Sequence, residues 1–287
     1  MKNPNAKTIV TPKRDFKARL FEMIFSDKKE LLSLYNAVNG THYTNPEDLE
    51  LNTLENAIYL SMRNDISFVI GSKVSLYEQQ STYSLNLPLR YLFYIADLYS
   101  SMTSEGNLYG SKLVKIPAPR FIVFYNGETE RPEKDTLKLS NAFSRKEIAP
   151  MLELEAEFVN INPGYNEELL NACKTLKDYS EYIARVRMYV KPMGIEKAVE
   201  RAVVECINEG ILSEFLRKNR AEAIKMSIYE YDEERQRIFD RQEGMELASE
   251  KYSKLILLLL AENRNEDLLK AAKDREYLKS LYEEYGI

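Results

Sequence analysis

This chain is poor in the side chains on which most active sites are built. Its 287 residues include two cysteines, Cys173 and Cys206, far apart and without a CxxC spacing. A disulfide framework and a thiolate zinc site are both excluded. A single histidine, His42, leaves any Ser-His-Asp triad, Cys-His pair or multi-histidine centre to be built around one imidazole. His42 sits in a polar loop after Gly40 and reads as a bystander. Long apolar runs are missing as well. The longest, Leu255 to Ala261, is far short of the ~20 residues a membrane-spanning helix needs. Met1 to Thr11 holds no apolar block of signal-peptide length. A cytoplasmic protein with no membrane partner is therefore expected. There is no internal repeat and no low-complexity tract. What is present is enough apolar side chain, 44% of residues with 30% charged, to bury a core. The length allows about two domains, or one with an appendage. Any chemistry falls to carboxylates, amides, hydroxyls and amines.

The net charge of −5 is unevenly spread. Residues 1–120 hold 14 basic and 12 acidic side chains, and residues 121–287 hold 26 and 33. The first 29 residues alone carry eight basic side chains against three acidic. That start is either a phosphate-binding surface or a solvated terminus, and the acidic remainder argues against a general nucleic-acid coat.

Hydrophobic periodicity predicts an α/β chain. Phe16, Leu20, Met23 and Ile24 give one face of a helix over 14–26. Asp27 with Glu30 suggests a capping box for a second helix that stops at Gly40, and 41–56 reads as loop. Residues 57–62, 65–70 and 74–80 have strand character, with Gly71-Ser72 as a type II′ hairpin turn between the last two. A helix over 87–101 follows, then strands over 120–125 and 156–161. Helices are expected over 167–189, 195–218, 220–252, 253–262 and 265–284. The division predicted is an α/β domain over 1–165 and a helical region over 166–287. The apolar run at 255–260 is either buried or mates with another chain. The charged helices over 195–250 pack on the first domain, dimerise into a homo-oligomer, or recruit a protein partner; the sequence does not choose.

The hairpin carries the sharpest signal. With a two-residue turn at 71–72, Ile70 faces Lys73, and counting back along both strands sets Asp65 opposite Glu78. Opposed Cβ atoms lie about 4.5–5.5 Å apart, so two carboxylates there repel unless a cation lies between them. A hard divalent ion with water and phosphate oxygens in its other positions fits such a pair. Gln80 shares the face of Glu78. Val69, Val74 and Leu76 on one face, with Ile66, Phe68 and Tyr77 on the other, place the hairpin inside a sandwich. The alternative is an ordinary pair of acids at a solvated sheet edge. A three-residue turn would instead set Asp65 opposite Gln79.

The segments Asn64-Asp65-Ile66-Ser67-Phe68, Leu76-Tyr77-Glu78-Gln79-Gln80-Ser81 and Asn86-Leu87-Pro88-Leu89-Arg90-Tyr91 resemble the Rpn family of recombination-promoting nucleases, or putative transposases, of the PD-(D/E)XK nuclease superfamily. Asp15-Phe16-Lys17 with Leu20-Phe21, and Phe121 to Gly127, agree with it. The resemblance spans roughly residues 13–165. It implies a restriction-endonuclease-like core, a helix, a mixed central sheet and a second helix across it, followed by an all-helical C-terminal region. It also implies a Mg2+-dependent DNA endonuclease, with Mn2+ or Ca2+ as alternative ions. Asp65 and Glu78 match the metal-binding acids, and Gln80 stands where the superfamily usually has lysine and this family commonly has glutamine. Glutamine orients water but does not neutralise charge or act as a base. Lys17 is therefore the candidate donor of the missing charge, against the reading of a surface lysine. Gln79, where the family often has histidine, bears on packing or DNA contact. Arg90 is either a partner for a backbone phosphate or an ordinary surface charge.

Other features stay bland. Most of the twenty tyrosines fall on helical faces and read as core or rim rather than as base-stacking platforms. Asn126-Gly127 is a turn, or borders the cleft. The rival to the endonuclease is a DNA-binding or interaction protein that keeps the fold and has lost turnover. A transposase in the strict sense lacks the separate DNA-binding module it would need.

Overall fold

The computed structural model describes residues 16–51, 65–104, 106 and 108–287; of 16, 17, 226–244 and 247 it describes the backbone alone. The strand expected over 57–62 lies outside the described residues. The chain divides into two compact units, Met1–Glu230 and Tyr231–Ile287. The unit that holds the sheet continues past residue 165, the boundary expected from the sequence, to Glu230.

The fold is mixed α/β. Helix α1 (Phe16–Phe25) leads into α2 (Lys28–Asn39). Asp27 caps α2 by accepting from the Lys29 and Glu30 N–H groups. Only this half of the predicted capping box forms, since the Glu30 carboxylate instead accepts from the Thr175 hydroxyl. Gly40 ends α2 in the left-handed region, as expected of a glycine stop. Among the described residues six strands follow: β1 (Leu49–Leu51), β2 (Ile66–Ile70), β3 (Lys73–Gln80), β4 (Ala118–Tyr125), β5 (Lys134–Lys138) and β6 (Glu155–Asn160), with helix α3 (Leu87–Met102) between β3 and β4. Their order in the sheet is β1-β2-β3-β4-β6-β5. The β3–β4 and β4–β6 pairs are parallel and the others antiparallel.

One face of the sheet is covered by α3, through Leu87, Tyr91, Tyr94, Ile95 and Leu98 against Val74, Leu76, Phe121, Val123 and Tyr125. The other face is aromatic. Phe68, Tyr77 and Phe124 meet edge to face across neighbouring strands, Tyr35 of α2 packs on Phe68, and Phe21 of α1 packs on Phe124. Tyr179 closes on Phe21 from α5 (Lys174–Met193). Helix α4 (Glu167–Ala172) precedes α5, and α6 (Ile195–Glu209) and α7 (Ser213–Lys218) follow it. The helix expected over 167–189 is therefore split at Cys173, whose backbone is extended, and the one over 195–218 at Gly210, in the left-handed region.

Helix α8 (Arg220–Ala261) is continuous where two helices were expected. A change from charged to apolar composition near residue 253 is no helix-breaking signal, and the lone Gly244 weakens a helix by only about 1 kcal/mol. In the second unit, Leu255 and Leu259 of α8 form a small core with Ala271 of α9 (Asn265–Ala271) and Leu281 of α10 (Arg275–Tyr285). The apolar run is thus only partly buried, for Leu257 and Leu260 remain exposed. Among the described residues no helix is long and apolar enough to cross a membrane.

Candidate functional site

The β2–β3 ladder has the register the sequence predicts. Ile70 faces Lys73, Val69 faces Val74 and Ile66 faces Tyr77, so the turn is the two-residue Gly71-Ser72. Gly71 takes φ +58°, a backbone state that glycine adopts without cost. Asp65 lies in a bend one step before the last ladder pair, Ile66–Tyr77, and the same register continued by one residue would set it level with Glu78. Both are buried, at 6% and 1% exposure.

Each carboxylate is held by its neighbours. Asp65 Oδ2 accepts from the Gln79 backbone N–H at 2.7 Å. Glu78 Oε1 accepts from Gln80 Nε2 at 2.8 Å and from the Arg90 guanidinium, which forms an ion pair with it. Arg90 lies in the first turns of α3. One turn on, the Tyr94 hydroxyl accepts from Arg90 Nε at 3.3 Å and from Nη2 at 3.1 Å. This i, i+4 spacing was readable in the sequence; its partner across the sheet was not.

The electrostatics show both acids bearing on one place. Burial lifts the Tyr94 hydroxyl to about 12, with the Glu78 charge second and Asp65 adding a smaller push. Tyr91, fully buried and donating to the Ile122 carbonyl at 2.9 Å, is raised by burial, then by Glu78 and Asp65. Burial pulls the Arg90 guanidinium down most strongly, but Glu78 together with Tyr94 and Tyr91 outweighs this and leaves its pKa above the ordinary value. Arg90 is thus a fixed cation beside Glu78.

The other expected residues are placed as follows. Gln80 is on the Glu78 face and bonded to it. Gln79 points to the opposite face and is 1% exposed, in keeping with the packing alternative rather than a DNA contact; among the described residues neither of its side-chain amide atoms has a hydrogen-bond partner. Its contribution is the N–H that holds Asp65. Lys17 is in the first turn of α1, and its side chain lies outside the described residues. Arg90 meets Glu78 through Nη2, while its side chain remains 31% exposed. His42 is exposed on the loop after α2. Cys173 and Cys206 are buried, which raises both thiols and leaves them poor nucleophiles.

Asn126-Gly127 does border this end of the sheet. The Asn126 N–H donates to the Gln80 carbonyl at 3.0 Å. A Cβ at Gly127 would stand 2.1 Å from the Ser81 carbonyl oxygen, so only glycine passes there. Gly127→Ala is expected to destabilise the protein by about 1–3 kcal/mol, the usual range for forced overpacking, read as a lower urea midpoint at unchanged slope. The Arg187 side chain of α5 secures the same corner, donating to the Asn126 carbonyl and to Asn162 Oδ1 at 3.1 Å. No spacing signal announces this residue, because it arrives from a helix 61 residues further along the chain than Asn126.

The hard oxygen donors a divalent ion could use here are the Asp65 and Glu78 carboxylates, with the Gln80 amide bonded to Glu78, while the Arg90 guanidinium competes for Glu78. Among the described residues no group of three acidic, histidine or cysteine side chains gathers around one point, so the remaining coordination would fall to water and substrate oxygens. No protein-family model matches this chain, and neither a curated protein nor a solved structure is significantly similar to it.

Proposed function

We propose that this chain is a divalent-metal-dependent DNA endonuclease of restriction-endonuclease-like fold, linked to DNA recombination or mobile elements. The observation that supports the reading is the hairpin register, which brings the buried Asp65 and Glu78 to the same end of β2 and β3, where both act on Tyr91 and Tyr94 of α3. Burying two like charges is costly, and it finds a reason if a shared Mg2+ or Mn2+ joins them. The layering of α1, mixed sheet and α3 agrees with the core that the family resemblance implies.

In this reading Asp65 and Glu78 hold the ion. When bound, it supplies a polarised phosphate and a more acidic water. The Gln79 N–H fixes Asp65, and Gln80 orients the attacking water by hydrogen bonding without giving it charge. Lys17 is the proposed source of the positive charge that a lysine at position 80 would have supplied. DNA is the partner, met through its phosphates.

A second reading is favoured by one specific contact. The Arg90–Glu78 pair neutralises a metal ligand, and together with the uncharged Gln80 it suits a protein that keeps the fold, binds DNA and turns over slowly or not at all. Purified protein incubated with supercoiled plasmid separates the two. The endonuclease converts it to nicked or linear forms with Mg2+ or Mn2+ and not with EDTA. Binding without conversion under any metal favours the second reading.

A further inference from the structure

We propose that Arg90 is the resident counter-cation of Glu78, displaced when a divalent ion binds there, and that the displaced guanidinium then takes a DNA backbone phosphate. The inference rests on the metal-site reading above. It also rests on one contact: the Glu78 side chain is 2% exposed, and a guanidinium whose own side chain is 31% exposed sits against it. A divalent ion at Glu78 would face this guanidinium at close range. Like charges there repel, so the ion gains the carboxylate as the arginine gives it up.

The geometry provides for the exchange. Arg90 has a second anchor, since both Nε and Nη2 donate to the Tyr94 hydroxyl. That anchor belongs to α3 itself and is not lost when Glu78 is surrendered. The guanidinium therefore stays at the site, with donors that match a phosphate in geometry and charge. Gln80, which donates to the same Glu78 oxygen, keeps that carboxylate oriented through the exchange. Metal and DNA then strengthen each other's binding, and by linkage the effect is reciprocal.

The test is calorimetric titration of Mn2+ into the full chain, without DNA, for the wild type, Arg90→Gln and Arg90→Lys. Arg90→Gln is expected to bind Mn2+ roughly 10- to 100-fold more tightly than wild type, the range set by losing a charged competitor. Arg90→Lys, with charge but a poorer fork, should fall between them, and it carries the comparison if Arg90→Gln does not fold. A second readout is fluorescence anisotropy of a phosphorothioate duplex. Mn2+ should tighten DNA binding by the wild type, and that gain should be lost in Arg90→Gln. Equal or weaker Mn2+ affinity in the variants overturns the inference and leaves the metal site standing. So does an undiminished metal-induced gain in DNA affinity. Absence of Mn2+ binding in all three proteins overturns the inference and the nuclease reading together.

Discussion

Glu78→Gln and Asp65→Asn are each expected to lower metal-dependent DNA cleavage by about 10³-fold. A metal ion is worth several kcal/mol of transition-state stabilisation, and each 1.36 kcal/mol is tenfold in rate. Neither replacement changes the shape of its residue. In Asp65→Asn the side-chain carbonyl can still accept from the Gln79 N–H as the carboxylate does, and removing a buried negative charge at the same strand end as Glu78 relieves repulsion. Asp65→Asn should therefore be at least as stable as the wild type while losing activity, which separates loss of the ion from loss of the fold. Initial nicking rates in saturating Mg2+, beside urea unfolding curves, make the comparison. A rate within tenfold of wild type in either variant would remove that carboxylate from the chemistry.

Arg90→Ala is expected to act in the opposite sense, costing stability in the metal-free protein. Removing one partner of a buried ion pair typically costs about 3 kcal/mol or more. The cost here is set by Glu78, which is far more buried than Arg90. Urea unfolding in EDTA measures it. The added substitution Glu78→Gln should recover most of the loss, because a neutral amide in that position no longer needs a counter-ion. A double variant as unstable as Arg90→Ala alone would mean that Arg90 acts through packing on Tyr94 rather than through the charge of Glu78.

The parts of this fold that could be read from the sequence are those decided by local chemistry. The turn at Gly71-Ser72 fixed the β2–β3 register from Ile66–Tyr77 to Ile70–Lys73, because a two-residue turn admits one pairing. Asp27 and Gly40 marked the ends of α2 for similarly local reasons. What escaped depends on distant partners. Strand β5, Lys-Asp-Thr-Leu-Lys, buries only Leu137. It is a charged edge strand, held by its pairing with β6, and such strands carry no apolar alternation to read. Strand β1 is three residues long and leans entirely on β2. At the site, the residue types were legible, but not the closure of Arg90 onto Glu78, because helix periodicity gives the direction of Arg90 and not which strand residue it meets. Gln79 shows the reverse. Strand alternation already turned it away from Glu78 and Gln80, and its burial fits the packing alternative rather than the DNA contact that the family resemblance suggested.

The central claim is that two carboxylates share one ion. Crystals of the protein grown with Mn2+ and a short duplex, with diffraction recorded at the manganese edge, address it directly. The account predicts an anomalous peak about 2.1 Å from oxygens of both Asp65 and Glu78, with the Arg90 guanidinium withdrawn from Glu78. A map without a peak at this position, and with Arg90 still seated on Glu78, would contradict it.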